Sequence, residues 1–196
     1  MKKVIIALVT AIAVGCMAMV QPAKAGGVYD GVAPGSSILG VKLGLSHIVG
    51  ANVTYDYALA RVWKGTFTIG GRVGYMWRGN TDRYTYGGVT EKYSWSENFL
   101  DFQVRTTYRL NVVVPQWEVY AGVALGGGVD IASSTAKVSG EGSSSHAHGS
   151  GSRGYFSGAF ILGTSYNFTD AIGANLEFDL GAWEQAWVNL GVNFKF

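Results

Sequence analysis

The stretch Ile172–Leu180, with the sequence IGANLEFDL, decides the fold that we expect for this chain. Apolar side chains occupy every second position, and small or polar residues alternate with them. A period of two is typical of a β-strand that has one apolar and one polar face. The acidic side chains of Glu177 and Asp179 share the polar face, so the two faces of this strand must meet different surroundings.

The same alternation recurs along the chain. It defines eight runs, at residues 38–47, 52–59, 66–77, 97–109, 117–128, 155–168, 172–180 and 186–196. Their lengths are close to the roughly 9–11 residues with which a tilted strand crosses a bilayer. The alternation is least regular in the sixth run, where Gly158 and Thr164 share the apolar face. An even number of strands places both termini on one side, and the two longest connections, 78–96 and 129–154, on the other.

The first 25 residues have the parts of a secretory signal peptide: a charged start, an apolar run and the cleavage site Ala23-Lys24-Ala25. Cleavage there makes Gly26 the new N-terminus. The sequence thus predicts three regions, which are a cleaved signal peptide at 1–25, a short periplasmic segment at 26–37 and an outer-membrane β-barrel at 38–196.

Two other interpretations of this leader remain open. A retained transmembrane helix would need about 20 apolar residues and a stop-transfer flank. A lipoprotein would be modified at Cys16, the single cysteine of the chain. If the leader is cleaved as predicted, the mature chain has no disulfide, no thiolate metal site and no cysteine nucleophile.

The charge content argues against a soluble domain and against a nucleic-acid partner. Charged residues make up only 14% of the chain, whereas a soluble domain carries about 25%. The chain has 15 basic and 13 acidic residues, and cleavage removes three lysines, which leaves 12 basic residues and no basic excess to neutralise phosphates. No apolar stretch beyond the leader approaches the length of a spanning helix, so a membrane form must be a barrel.

Alternation alone does not decide which face is outside, because a soluble lipocalin-like barrel has the same period with its apolar residues inside. Three features favour an apolar outside. The polar face is rich in Gly, Ala, Ser and Thr, which suit the crowded lumen of an eight-stranded barrel. The apolar face carries no charge within the runs, and its aromatic residues cluster towards the strand ends, as at two membrane interfaces. We therefore expect the apolar face to meet lipid.

The leader, the eight runs and the final aromatic residue together resemble the small outer-membrane β-barrel proteins of Gram-negative bacteria, the OmpA/OmpX-like barrels. The resemblance covers about residues 37–196, and its most specific part is the closing sequence LGVNFKF at 190–196. It implies an eight-stranded antiparallel up-and-down transmembrane β-barrel. It also implies that the barrel-assembly machinery recognises the last strand by its alternating apolar residues. The residues of that signal are Leu190, Val192, Phe194 and Phe196.

The polar face places nine charged side chains in the predicted lumen. They are Lys42, Asp56, Arg72, Asp101, Arg105, Glu118, Glu177, Asp179 and Lys195. Because an unpaired charge in a narrow, dry space is very costly, we expect these four cations and five carboxylates to form a paired network that closes the barrel. The alternative is that they line a narrow conductive path, which would make the protein a passive, porin-like channel.

An enzyme is a further alternative, because lipid A acyltransferases, lipid A deacylases and omptin proteases are also outer-membrane barrels. Ser46 and His47 reach the predicted extracellular rim, and Asp130 or Glu184 could join them there. Adjacent residues of a strand point to opposite faces, however, which separates Ser46 from His47. No catalytic motif of these families is present, so we predict a non-enzymatic protein and name no catalytic residue.

The connection 78–96 carries residue types that dominate contacts at interfaces. They are Arg83, Tyr84, Tyr86, Tyr93 and Trp95. They predict either a surface for a partner or glycan, or a hairpin that extends the barrel above the membrane. In the other long connection, 129–154, His146 and His148 lie in a Gly- and Ser-rich tract. We expect a disordered, solvated loop there rather than a metal site, because two imidazoles on a flexible tract do not define one.

These observations predict a monomeric, non-enzymatic barrel of the bacterial outer membrane, with both termini periplasmic and with a structural or surface-interaction role. Its expected partners are outer-membrane lipid, the barrel-assembly machinery and an extracellular ligand of unknown identity. No cofactor, no metal and no nucleic acid is expected.

Overall fold

The computed structural model describes residues 32–45, 49–112, 114–140, 143–181 and 188–196. Its strands are β1 (Ser37–Leu45), β2 (Val49–Val62), β3 (Gly65–Tyr86), β4 (Val89–Asn111), β5 (Trp117–Gly140), β6 (Ser143–Asn167), β7 (Ile172–Leu180) and β8 (Val188–Lys195). Each strand pairs antiparallel with the next one along the chain, and β8 pairs with β1, which closes the sheet. The predicted all-β, eight-stranded, antiparallel up-and-down barrel is confirmed. In the described ranges, no helix has both the length and the apolar character needed to cross a membrane.

Side chains alternate between the two surfaces of the barrel wall, as the period of two predicts. On β4, Phe102 and Val104 point outward and are 51% and 65% exposed, whereas Gln103 and Arg105 point inward and are buried. The outer surface is therefore apolar and the inner surface polar, the reverse of a water-soluble barrel.

The least regular of the predicted runs keeps a single register in the structure. β6 pairs with β5 and with β7 without a shift, so Gly158 and Thr164 stay on the outer surface. The hydroxyl of Thr164 accepts a hydrogen bond from Trp117 Nε1 at 2.6 Å and donates one to the carbonyl of Glu118 at 2.9 Å. A polar residue is tolerated on the apolar surface here because its hydrogen bonds are made locally.

Both described ends of the barrel sequence lie at the same end of the barrel, which we call the terminal end. Ser37 and Phe196 exchange backbone hydrogen bonds of 2.7 and 3.0 Å there. The connections at this end are short and comprise residues 63–64, 112–116 and 168–171. The opposite end, which we call the hairpin end, carries the segments 78–96 and 129–154, which the sequence predicted as long connections and which the structure describes mostly as extended strands.

Four strands continue beyond the barrel at the hairpin end. β2 pairs with β3 only as far as Trp77, and β7 pairs with β6 only from Phe160 onward. Beyond Trp77 the ladder continues among β3, β4, β5 and β6 without a register shift. We call this extension the protruding sheet. It consists of residues 78–86, 89–97, 132–140 and 143–151.

The expectation of a disordered loop at 129–154 is wrong. β5 and β6 pair through the whole of this segment apart from residues 141–142, which lie outside the described residues. β4 also pairs with β5 as far as Thr90 and Ser139, so a neighbouring strand satisfies the backbone donors and acceptors of β5. The many Ser, Gly and Ala side chains hide the alternation in the sequence without preventing this pairing.

The segment 78–96 forms a hairpin that extends the barrel, which is one of the two alternatives that the sequence predicted for it. Tyr86 of β3 pairs with Val89 of β4. The two residues between them, Gly87 and Gly88, have φ angles of 58° and 79°. A two-residue turn with positive φ at both positions matches the twist of the flanking strands, and glycine adopts it at little cost.

Candidate functional site

The lumen contains a network of buried charges centred on Glu177 of β7. Lys42 Nζ donates to Glu177 Oε2 at 2.7 Å, and Arg105 Nη2 donates to the same oxygen at 2.7 Å. Arg72 Nη1 lies 3.7 Å from Glu177 Oε1, and Tyr120 Oη donates to Oε2 at 2.8 Å. Three cations and one phenol thus surround a single carboxylate that is shielded from solvent.

The network continues from this centre towards the terminal end. Arg105 Nε lies 3.1 Å from Asp56 Oδ1, and Arg109 Nη2 donates to Asp56 Oδ2 at 2.9 Å. Arg109 Nη1 lies 3.7 Å from Glu118 Oε2. Lys195 Nζ donates to Glu118 Oε1 at 2.7 Å. Cations and carboxylates alternate along this chain of contacts, so each buried charge is next to one of opposite sign.

Two further buried carboxylates, Asp179 and Asp101, lie towards the hairpin end. Arg72 Nη1 and Asn189 Nδ2 donate to Asp179 Oδ2 at 2.5 and 2.8 Å. Ser157 Oγ donates to Asp101 Oδ1 at 2.8 Å and accepts from Gln103 Nε2 at 2.9 Å. Neutral side chains therefore supply part of the hydrogen bonding that a buried carboxylate requires.

The structure places all nine charged residues of the predicted lumen inside the barrel and buries them. A tenth charged residue of the lumen, Arg109, was not predicted; it is 4% exposed and contacts two carboxylates. It ends the predicted fourth run and has the same parity as Arg105 and Thr107, so the alternation itself could have identified it. With Arg109, and with Asp130 at the mouth of the lumen, the buried charges of the described inner surface are five cations and six carboxylates, where the sequence predicted four and five.

Tyr120 crosses the lumen beside the network. Its hydroxyl donates to Glu177 and accepts a hydrogen bond of 2.7 Å from Asn175 Nδ2. The guanidinium carbon of Arg109 lies 4.3 Å from the centre of the ring. A Cβ atom at Gly163 would overlap the Tyr120 ring. Glycine on the inner surface therefore makes room for a large side chain that the network uses.

Apolar side chains cover both ends of the network. At the terminal end they are Val32, Ile38 and Ala58, and at the hairpin end they are Met76, Phe99 and Tyr155. Beside Met76, a cavity of about 20 Å³ has room for about one water molecule. The described side chains leave little free volume in this part of the lumen.

The protruding sheet has two faces, and the residues predicted for surface contact do not all lie on the same one. Its inner face continues the polar inner surface of the barrel and carries four aromatic side chains. They are Tyr84, Tyr86, Tyr93 and Trp95. Tyr84 and Tyr86, which are 67% and 91% exposed, have the most accessible rings. Arg83 lies on the outer face, so the structure separates it from these four residues.

Of the residues considered for catalysis, Ser46, His47 and Glu184 lie outside the described residues. Asp130 is described and lies on the inner surface where the barrel meets the protruding sheet. Arg153 Nε donates to Asp130 Oδ2 at 3.0 Å. Asp130 thus forms an ion pair at the mouth of the lumen, on β5, which pairs with β4 of the 78–96 hairpin.

His146 and His148 of β6 both lie on the outer face of the protruding sheet, two residues apart on one strand. His148 Nδ1 lies 3.3 Å from the hydroxyl of Thr135. Within the part of the chain that the structure describes, no group of three or more His, Cys, Asp or Glu side chains could hold a metal ion.

The residues predicted as an assembly signal lie on β8 and directly after it, where β8 pairs with β1 and closes the barrel. Leu190, Val192 and Phe194 point outward, and Phe194 is paired with Leu39 of β1. Phe196 follows β8 and is bonded through its backbone to Ser37. Their recognition by the barrel-assembly machinery stays a prediction.

A family model described as "Outer membrane protein beta-barrel domain" matches residues 6–196. No curated protein matches the chain. Among solved structures, Ail, the attachment invasion locus protein of Yersinia pestis, is 17% identical, with a TM-score of 0.39 over 84% of this chain and 100% of that one. The same protein in complex with the heparin analogue sucrose octasulfate is 16% identical, with a TM-score of 0.42 over 82% and 97%. The N-terminal β-barrel domain of Pseudomonas aeruginosa OprF is 15% identical, with a TM-score of 0.40 over 83% and 98%.

Replacing Glu177→Gln tests the energetic role of the network. The substitution keeps the shape of the side chain but leaves Lys42, Arg72 and Arg105 without their shared counter-charge. Because removing one partner of a buried ion pair typically costs about 3–5 kcal/mol, the free energy of unfolding in urea should fall by roughly 3 kcal/mol or more. Unfolding of the refolded barrel can be followed by tryptophan fluorescence and by the mobility shift between boiled and unboiled samples.

Glu91→Gln is the matched control, because Glu91 is exposed on the protruding sheet. Its removal should change the free energy of unfolding by no more than about 0.5 kcal/mol. Equal stability of the Glu177→Gln and Glu91→Gln proteins would contradict a structural role for the network.

Proposed function

Since this chain belongs to the family of outer membrane β-barrel proteins, we propose that it is a closed, non-enzymatic barrel that carries the protruding sheet outside the cell for surface contacts. The observation that carries this proposal is the unbroken ladder that runs from the charged lumen into the protruding sheet. The membrane anchor and the displayed surface are one continuous sheet, so the barrel holds the contact surface at a fixed orientation.

The packing of the lumen supports a closed barrel rather than a channel. Ion-paired side chains occupy the lumen, and apolar clusters cover them at both ends. A hydrated ion passing through would have to separate charges that are within hydrogen-bonding distance of one another, which is costly away from bulk water. Eight strands also enclose only enough space for side chains.

The lengths of the connections support the orientation. Outer-membrane barrels keep short turns on the periplasmic side and long loops on the extracellular side. At the terminal end the strands are joined by short turns close to the barrel, whereas the protruding sheet extends far beyond the barrel at the opposite end. We therefore place both termini in the periplasm and the protruding sheet outside the cell. In this arrangement the protein acts as a monomer, with the lipid of the outer membrane around its apolar surface and the assembly machinery as its partner during insertion.

The protruding sheet has two features that suit contact with another molecule. Its inner face presents exposed tyrosines and Trp95, residue types that contribute strongly to binding at interfaces. Its two edges, residues 78–86 and 143–151, pair with no further strand among the described residues. Open edges offer backbone donors and acceptors to an added strand.

The orientation is tested by labelling intact cells with a membrane-impermeant maleimide. Tyr86→Cys introduces a thiol at the tip of the protruding sheet, and Asp170→Cys introduces one in a short turn at the terminal end. Only Tyr86→Cys should be labelled on intact cells, because the outer membrane shields the periplasmic side. Asp170→Cys should react only after permeabilisation, and the unsubstituted chain corrects for Cys16. The reverse pattern would contradict the proposed orientation.

The closed lumen is tested by single-channel recording in planar bilayers. Purified, refolded protein should give no steady conductance, since the ion pairs of the lumen leave no continuous water path. As a control, the protein is reconstituted into vesicles of the same lipid and treated with protease. Protection of the barrel from digestion establishes that it has inserted. A steady conductance step of uniform size would overturn the closed barrel and favour the passive channel.

A further inference from the structure

Four basic side chains form a row straight across the outer face of the protruding sheet. The register pairs Arg83 of β3 with Lys92 of β4, Lys92 with Lys137 of β5, and Lys137 with His146 of β6. We call these four residues the basic row. Neighbouring strands are about 4.8 Å apart, so the row brings three full charges and one imidazole to within about 15 Å of one another.

The charges of the protruding sheet are segregated by face. On the inner face lie its described carboxylates, which are Asp82, Glu91 and Glu97. Glu97 forms an ion pair there with Arg78. In the described part of the outer face there is no carboxylate. The cations of the basic row are therefore next to one another, without an acidic side chain of the sheet between them.

This arrangement is unfavourable in the absence of an anion. Like charges directly opposite each other on neighbouring strands destabilise a sheet. An anion that lies over the row would remove the repulsion and gain charge-assisted hydrogen bonds from several donors at once. The chemistry of the row therefore favours a ligand with more than one negative group, such as phosphates on a sugar.

The outer surface between the basic row and the barrel indicates the source of such a ligand. The outer face of the protruding sheet continues the apolar outer surface of the barrel, and Trp77 lies at the boundary between them. Between Trp77 and the row lie rows of hydroxyls, including the bonded pairs Thr81–Ser94 at 3.1 Å and Ser96–Ser133 at 2.9 Å. The basic row is three residue pairs above Trp77, which is about 15 Å along the membrane normal for a strand tilted by about 40°.

We propose that the basic row binds the phosphate-bearing sugar headgroup of a glycolipid in the outer leaflet of the membrane that holds the barrel. A lipid beside the barrel has its acyl chains against the apolar outer surface, and its headgroup rises along the same face of the sheet. The apolar side chains then face the acyl chains, the hydroxyl rows face the sugar, and the basic row faces the phosphates. This inference rests on the proposed orientation, which places the protruding sheet outside the cell.

The proposal is tested by binding of purified rough-type lipopolysaccharide to the refolded full-length barrel in a zwitterionic detergent. The variant Arg83→Gln/Lys137→Gln removes the two exposed full charges of the row. Each basic side chain near an anionic membrane surface contributes about fivefold to binding, so the affinity should fall by at least about tenfold. Enzymatically dephosphorylated lipopolysaccharide should bind weakly to all variants, and added salt should weaken the binding of the unmodified glycolipid.

The matched control is Arg61→Gln/Lys64→Gln, which removes one arginine and one lysine at the terminal end. It should bind as tightly as the unsubstituted protein, and the heat-dependent mobility shift establishes that each variant is folded. Equal binding by the two double variants would overturn the proposal, as would equal binding of the dephosphorylated glycolipid. If the lipid-free core oligosaccharide binds as tightly as the intact glycolipid, the ligand is a soluble polyanion and the membrane-lipid source is wrong.

Failure of glycolipid binding at the basic row can be distinguished from failure of the proposed orientation. The binding assay uses purified protein and does not depend on which side of the membrane the sheet occupies. Loss of binding in the matched control would show that the assay reports net charge, and this too would contradict a site at the basic row. Failure of Tyr86→Cys to be labelled on intact cells would contradict the orientation even if the basic row binds the glycolipid.

Discussion

The contacts between Glu177 and the cations of Lys42, Arg72 and Arg105 are the interaction on which the rest of the structure depends. A barrel of eight strands encloses a space that side chains must fill, and in this chain many of those side chains are charged. A buried charge without a partner costs several kcal/mol. The carboxylate of Glu177, supplied by β7, neutralises cations from β1, β3 and β4, so one residue links strands that lie on opposite sides of the barrel. The closed sheet therefore brings the opposite charges of its interior together.

The apolar outer surface and the protruding sheet follow from this inward-facing polarity. With the polar side chains inside, the outer surface can remain apolar around the whole barrel and can be embedded in lipid. Four strands then extend past the end of their neighbours and keep the same alternation in water. There the inner face carries aromatic side chains and all the described carboxylates of the sheet, and the outer face carries the basic row. One alternating pattern thus separates four surfaces: the polar lumen, the apolar outer surface of the barrel and the two faces of the protruding sheet.

The sequence predicted the barrel well because its alternation is strong wherever the outer surface of the barrel is apolar. β7 begins and ends at its predicted residues, and the inward parity of Lys42 or Asp179 followed directly from the pattern. The prediction failed at 129–154, where Ser, Gly and Ala occupy both faces and the strand is maintained by pairing with its neighbour rather than by its own composition. Arg109 was missed because it ends a run. The basic row could not be predicted, since Arg83, Lys92, Lys137 and His146 are brought together only by the register of four strands.

The packing of the polar inner surface can be measured directly with a thiol in the middle of the lumen. Thr107→Cys is nearly isosteric at a side chain that is 1% exposed and hydrogen-bonded to Thr68 at 2.7 Å. Thr81→Cys, on the exposed outer face of the protruding sheet, is the accessible reference, and the unsubstituted chain corrects for Cys16. A small water-soluble methanethiosulfonate should modify Thr81→Cys rapidly, whereas Thr107→Cys should react only when the barrel is unfolded. Modification of Thr107→Cys in the folded barrel at a rate near that of Thr81→Cys would show a water-filled lumen and contradict a closed, packed barrel.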